Sequence, residues 1–137
     1  MAYSPPKRRK LTKDERQKVY DKCGGHCAYC GCEIDLAAMQ VDHVFPISMD
    51  GVDTLGNMLP ACRSCNHYKN SMPLWVFRQS VERWPDVLAR DSVTYRNAVR
   101  FGVVEPKKHA VEFYFEKIGL EVNVMQHNWE EAPHDDV

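Results

Sequence analysis

Four of the six cysteines in this chain of 137 residues fall into two pairs with the spacing of metal ligands. Two Cys-x-x-Cys knuckles can present four thiolates to one tetrahedral Zn²⁺ at about 2.3 Å, in a closed structural site. Disulfides and unrelated thiols are the alternatives, and the start of the chain, which carries no apolar export signal, favours metal ligation over disulfides. The surplus cysteines, Cys23 and Cys32, are expected to be ordinary thiols. The paired cysteines are Cys27 with Cys30, and Cys62 with Cys65.

Polar side chains suited to hydrolysis lie between the knuckles and just after the second one. A carboxylate and a carboxamide, on Asp42 and Asn66, offer hard oxygen ligands for Mg²⁺ or Mn²⁺. A neutral imidazole near such an ion, that of His43, can take a proton from water. Together these groups predict metal-assisted hydrolysis of a phosphodiester. Lys69, one helical turn beyond Asn66, is expected to contact a phosphate as a point charge.

The elements that must position these groups can be predicted from the surrounding pattern. Thr12 and Glu15 fit a capping box, which marks the start of a helix, and Gly24 with Gly25 ends it. Zinc would then tie the base of a later helix to the base of a loop, so that the strand with Asp42 and His43 faces that helix. The predicted elements are a helix over 13–22, a strand over 39–44, a loop that ends at Leu59 and Pro60, and a helix over 63–70.

Beyond Pro73 the chain has a different pattern. Apolar residues recur at spacings of three and four, which predicts an amphipathic helix that is broken or kinked before Pro85. Two further short helices are expected over 93–101 and 110–118. The predicted organisation is a basic flexible tail over 1–11, a zinc-bearing core over 12–73, a helical extension packed on that core over 74–128, and an acidic tail over 129–137.

The net charge of −1 hides a segregated distribution. Residues 1–22 carry eight lysines and arginines against three acidic residues, a net charge of +5, and residues 105–137 carry three against eight, a net charge of −5. A nearly neutral protein can therefore present a basic end to a polyanion. No apolar run approaches the roughly 20 residues that cross a bilayer, so we expect a cytoplasmic protein that is neither secreted nor inserted in a membrane.

Taken together, the motifs resemble the HNH endonuclease family. They occur in the family's order over about residues 20–70. The resemblance implies a small zinc-stabilised α+β fold with a ββα-metal core, a DNA substrate, and a bacterial or phage origin. The motifs are Cys27-x-x-Cys30, Asp42-His43-x-x-Pro46, Asn57-x-Leu59 and Cys62-x-x-Cys65-Asn66-x-x-Lys69.

The resemblance also implies a role for each matching residue. His43 corresponds to the general base, and Asp42 and Asn66 correspond to ligands of the catalytic Mg²⁺ or Mn²⁺. Asn57 corresponds to a loop asparagine that hydrogen-bonds the backbone and holds the base strand in position. The four paired cysteines correspond to the structural zinc site. Family members often carry histidine where Asn66 stands, so His67 is the second choice for that ligand.

Three functions follow as hypotheses. The first is a metal-dependent DNA endonuclease that nicks or cuts, alone or as a homodimer or larger nuclease assembly. The second is a non-catalytic zinc-ribbon module that binds nucleic acid, and the third is an interaction protein that docks through its helical extension. Neither alternative requires the full set of catalytic residue types, which favours the nuclease. Contacts with DNA are expected from Arg63, His67, Lys69, Lys7, Arg8, Arg9 and Lys10.

Overall fold

The computed structural model describes residues 10–122, and these contain five α-helices and two β-strands. The described chain divides into two compact units. We call residues 10–75 together with 112–122 the core unit, and residues 76–111 the helical unit. The helices are α1 (Lys13–Asp21), α2 (Arg63–Lys69), α3 (Leu74–Asp91), α4 (Val93–Arg100) and α5 (Tyr114–Lys117), and the strands are β1 (Gln40–His43) and β2 (Met58–Ala61).

Helix α1 begins where the sequence predicts. The Thr12 hydroxyl accepts a hydrogen bond from the Glu15 backbone N–H at 3.1 Å, and the Glu15 carboxylate accepts one from the Thr12 backbone N–H at 3.1 Å. This capping box satisfies two backbone donors that the first helical turn leaves unpaired. At the other end, the Lys22 ammonium donates to the Met58 carbonyl at 2.7 Å. Helix α1 is thereby fastened to the first residue of β2.

Strands β1 and β2 form a two-stranded antiparallel sheet with His43 opposite Met58. The prediction of a loop that ends at Leu59 and Pro60 is wrong for these residues, because they belong to β2. Pro60 cannot donate a backbone hydrogen bond, which makes it an unusual residue within a strand. In the structure Pro60 is buried, and its carbonyl accepts from the Ala28 backbone N–H at 2.8 Å. Helix α2 follows β2 after one residue, so the core unit contains a ββα arrangement and the predicted α+β class is confirmed.

The return segment, residues 112–122, belongs to the core unit. A helix was predicted over 110–118, but α5 is a single turn. The residue before it, Phe113, has an extended backbone, and its ring packs edge-on against Tyr29 with ring centres 5.3 Å apart. Phe115 is buried too, and its N–H donates to the Ala28 carbonyl at 2.8 Å. Pairing with residues 28 and 29 therefore takes the place of the expected first helical turns.

The helical unit holds most of α3 and all of α4. The sequence predicts a helix that is broken or kinked before Pro85; α3 is not broken there, since it continues through Pro85 and loses one backbone hydrogen bond at that residue. The Arg96 guanidinium donates to the carbonyls of Ala89 and Arg90 at 2.8 and 2.9 Å, which satisfies acceptors at the end of α3. Packing of the whole 74–128 extension on the core stays a prediction. Within residues 10–122, no helix has the length and apolar character of a membrane span.

Candidate active site and zinc site

The cysteine cluster, defined as Cys27, Cys30, Cys62 and Cys65, has the geometry of a tetrahedral metal site. Its four sulfur atoms all lie within 4.8 Å of one another. The Sγ atoms of Cys30 and Cys62 are 3.9 Å apart, close to the edge of about 3.8 Å of a tetrahedron with Zn–S bonds of about 2.3 Å. All six cysteines of the chain are free thiols, so the structure has no disulfide between them. The cluster is able to bind zinc.

The charge balance of the cluster also suits a cation. A hydrogen bond from the Cys65 thiol is the main reason that the pKa of Cys27 falls to about 4, and the same hydrogen bond raises the pKa of Cys65. One thiolate therefore forms readily, and further thiolates beside it are opposed by charge repulsion and burial. A divalent cation removes this opposition, because metal ligation requires deprotonated cysteines.

The two surplus cysteines have different surroundings. Cys23 is buried, and burial raises the pKa of its thiol to about 11, so it is an unreactive thiol at neutral pH. Cys32 is exposed, and its thiol contacts those of Cys30 and Cys62. Its carbonyl accepts from the Cys27 backbone N–H at 2.8 Å, which closes the first knuckle.

The second knuckle also forms the start of α2. Cys62 is the N-cap residue, and its Sγ accepts a hydrogen bond from the Cys65 backbone N–H at 3.4 Å. Its carbonyl accepts from the Asn66 backbone N–H at 3.0 Å. A residue of the cysteine cluster is therefore the N-cap of the helix that carries Asn66 and Lys69.

A buried triad of Tyr29, Asp42 and Lys69 joins the first knuckle, β1 and α2. Lys69 is completely buried, and its ammonium lies 2.9 Å from Oδ2 of Asp42, which is 4% exposed. The same ammonium donates to the carbonyl of His43 at 3.0 Å. The Tyr29 hydroxyl donates to Asp42 Oδ2, and burial together with the Asp42 charge raises the pKa of Tyr29 well above its usual value, so the phenol stays protonated. Lys69, expected to contact a phosphate, has no exposed ammonium in this structure.

His43, the predicted base, lies at the end of β1 and is 5% exposed. Its Nε2 is 2.9 Å from a carboxylate oxygen of Asp53. Its Nδ1 is buried and has no hydrogen-bond partner among the described residues. Asp53 is not among the residues predicted from the sequence, because an acidic residue in an irregular loop carries no periodic signal and its contact with His43 depends on how that loop folds.

Asn57 determines how the loop after His43 folds. Its completely buried side chain accepts from the Phe45 N–H at 2.9 Å, and it donates to the carbonyls of Phe45 and Val52 at 2.9 and 2.8 Å. These are the backbone hydrogen bonds that the HNH resemblance implies for this residue. Gly51 allows the same turn, because a Cβ there would lie 2.1 Å from the Phe45 carbonyl oxygen. The segment that follows β1 is thus held at both of its ends.

The other predicted site residues lie on or near the surface. Asn66 is half-buried on α2, and Arg63 and His67 are exposed on that helix, four residues apart. Lys10 is exposed, whereas Lys7, Arg8 and Arg9 lie outside the described residues.

The residues predicted to hold a divalent ion are joined through α2. The Asp42 carboxylate forms an ion pair with Lys69 of α2, and Asn66 lies on the same helix. A carboxylate and an amide oxygen fit Mg²⁺ or Mn²⁺, with Asp42 Oδ2 already held by the triad. Among the described residues, the cysteine cluster is the only grouping of three or more His, Cys, Asp or Glu side chains that lies close enough to share a metal ion. A catalytic ion would therefore depend on the Asn66 amide and on water for its remaining ligands.

Comparison with known proteins matches part of this chain to a nuclease family. Residues 27–71 match the family model described as HNH endonuclease. Two relatives named CRISPR-associated endonuclease Cas9 are similar, from Corynebacterium diphtheriae (34% identical over 59 residues) and from Actinomyces naeslundii (35% over 57 residues). Each match covers 41% of this chain and 5% of the relative. The chain therefore corresponds to a small part of each of these proteins.

A solved structure, the Type II-C Cas9 enzyme from Actinomyces naeslundii, is also similar, with 31% identity and a TM-score of 0.45. The match covers 49% of this chain and 8% of that one. The family match by itself confirms, for residues 27–71, the HNH resemblance inferred from the motifs.

Proposed function

We propose that the HNH endonuclease domain at residues 27–71 makes this protein a metal-dependent endonuclease that hydrolyses DNA phosphodiester bonds. The observation that carries the proposal is the state of the His43 ring. One ring nitrogen is bonded to a carboxylate, and the other is buried and lacks a partner within the described chain. The large majority of buried polar side-chain atoms in protein interiors are hydrogen-bonded, so a histidine with a purely structural role would be expected to have both ring nitrogens paired. A histidine that serves as a base must keep one nitrogen for the proton it accepts.

In the proposed reaction, His43 takes a proton from water through Nδ1. The water oxygen bonds to phosphorus as the proton leaves, and the bond from phosphorus to the departing nucleotide oxygen then breaks. A divalent ion held by Asp42 and Asn66 would offset the charge that gathers on the phosphoryl group and on the leaving oxygen. Asn57 keeps the loop after His43 folded, which fixes the direction of the ring.

Several surface residues are suited to hold the DNA backbone. Arg63 and His67 share a face of α2 and are exposed, so both can reach a phosphate while the helix carries Asn66. Lys10 is exposed just before α1, and the basic residues that precede it would extend the same positive segment. One active site cuts one strand at a time, so double-strand cutting requires two copies of the chain or two successive nicks.

The test is cleavage of supercoiled plasmid DNA by zinc-loaded protein with Mg²⁺ or Mn²⁺. We expect the wild type to convert the plasmid to nicked or linear product. We expect His43→Ala to lose about 100-fold or more of the rate, because general base catalysis contributes about that factor or more. His109→Ala is the matched control, since His109 is an exposed histidine of the helical unit, and it should cleave normally.

Two results would count against a nuclease. The first is a wild type that is inactive with every divalent ion tried, and the second is full activity in His43→Ala. Binding of DNA that weakens with salt, without cleavage, would support the alternative of a zinc-ribbon module that binds nucleic acid.

A further inference from the structure

We propose that Asp53 is a positioning residue, which fixes the tautomer of His43 and so makes Nδ1 the proton acceptor. The inference rests on the function proposed above and adds to it a residue outside the motifs that identify the HNH domain. Asp53 does not touch the reacting atoms in this proposal. It acts only through the imidazole ring of His43.

The contact determines which nitrogen carries the proton. Asp53 Oδ1 and His43 Nε2 are 2.9 Å apart, an ordinary hydrogen-bond distance. An ionised carboxylate has only acceptors, so the hydrogen must be on Nε2. In a neutral imidazole the other nitrogen then carries a lone pair. That nitrogen, Nδ1, has no partner among the described residues and is therefore the atom left to accept a proton.

The loop presents Asp53 in a fixed position. The carbonyls on both sides of it accept hydrogen bonds from Asn57. The Val52 carbonyl receives the side-chain Nδ2 at 2.8 Å, and the Thr54 carbonyl receives the backbone N–H at 3.0 Å. Asn57 is completely buried, so the donor side of both bonds is withdrawn from water. The Asp53 side chain is 25% exposed, so its carboxylate is only partly withdrawn from water.

The same carboxylate assists after proton transfer. When His43 has taken a proton, its ring is a cation with Nε2–H still directed at Asp53. A carboxylate at 2.9 Å stabilises that cation and keeps the ring from rotating. The arrangement follows the logic by which a buried acid orients the histidine of a hydrolase triad, here with water rather than a side chain as the nucleophile.

The experiment compares Asp53→Asn with Asp50→Asn. Both changes remove one negative charge from the same loop, but Asp50 is exposed and does not contact His43. We expect Asp53→Asn to lower kcat about 10- to 100-fold with KM within about twofold of the wild type, as for loss of other groups that orient a histidine. Asp50→Asn should keep both values. Asp53→Glu, which retains the carboxylate acceptor, should recover part of the rate.

A second readout does not depend on cleavage. Nitrogen-15 NMR of labelled histidine in the zinc-loaded protein distinguishes the two neutral tautomers. We expect the Nε2–H tautomer for His43 in the wild type and in Asp50→Asn. The Asn amide can donate to Nε2, so Asp53→Asn should show a mixture or the Nδ1–H form.

Either of two results overturns the inference. One is an unchanged tautomer in Asp53→Asn, and the other is an unchanged kcat in a folded Asp53→Asn protein. A wild type that fails to cut DNA refutes the proposed function, whereas the NMR comparison still decides the tautomer. Should Asp53→Asn not fold, an Nδ1–H tautomer in the wild type or in Asp53→Glu refutes the inference, and Nε2–H in both supports it.

Discussion

Replacement of Lys69 by methionine tests the buried triad most directly. Methionine keeps most of the side-chain volume but removes the charge that lies 2.9 Å from the Asp42 carboxylate. At that distance two unit charges attract by about 6 kcal/mol at an effective dielectric constant of about 20. Burying both ions opposes this attraction, so the intact pair contributes little net stability. Removing one partner leaves Asp42 buried and uncompensated, and we expect the free energy of unfolding to fall by about 3–5 kcal/mol.

The assay is urea denaturation of the zinc-saturated protein, followed by circular dichroism. With a slope of about 2 kcal/mol per molar urea, the loss corresponds to a midpoint lower by about 2 M. Lys18→Met is the matched control, because Lys18 is exposed on α1 and its replacement should change stability by less than about 0.5 kcal/mol.

A double replacement separates the ion pair from other effects. Asp42→Asn combined with Lys69→Met removes both charges and leaves an amide that can still accept from Tyr29. We expect the double variant to be about 1–3 kcal/mol more stable than the sum of the two single effects predicts. The reasoning fails if the single effects simply add, or if Lys69→Met stays within about 1 kcal/mol of the wild type. If Lys69→Met has the stability of the wild type but a raised KM for DNA, the result would instead support the predicted contact between Lys69 and a phosphate.

Two further predictions concern the cysteine cluster and Tyr29. Removal of zinc by a strong chelator should unfold the core unit, because structural zinc contributes about 10 kcal/mol or more; unchanged circular dichroism after verified zinc release would contradict this. Since burial raises the pKa of Tyr29, the folded protein keeps a proton that the unfolded chain loses above about pH 10, so stability should fall as the pH rises past that value. Urea titrations at several pH values should show a smaller fall in Tyr29→Phe, and equal slopes in the two proteins would refute the assignment.

The cysteine cluster and the start of α1 could be predicted from the sequence because each depends on residues a few positions apart. A knuckle requires two cysteines separated by two residues, and a capping box requires Thr12 and Glu15. The positions of His43 and Asn57 could be matched to a family for the same reason. These motifs can be recognised from the spacing of nearby residues, without knowledge of how distant parts of the chain fold.

The remaining features depend on contacts that spacing does not encode. Strand β2 contains a proline and exists because β1 and the first knuckle pair with it. Lysine is a residue type that is usually exposed, and Lys69 is buried because its ammonium pairs with the Asp42 carboxylate inside the core unit. Asp53 meets His43 only because Asn57 and Gly51 give the intervening loop its shape. In each case a residue distant in sequence decides the outcome.

The return segment has a consequence for synthesis on the ribosome. Chains emerge from the N-terminus, so both knuckles and the ββα arrangement are made before Phe113 and Phe115. Until those rings arrive, Tyr29 lacks the aromatic partners that lie 5.3 and 6.2 Å from it, and its hydroxyl is less firmly held against Asp42. The core unit therefore completes only after the helical unit has been translated. A product that terminates before residue 112 would therefore expose an unfinished interior to proteases.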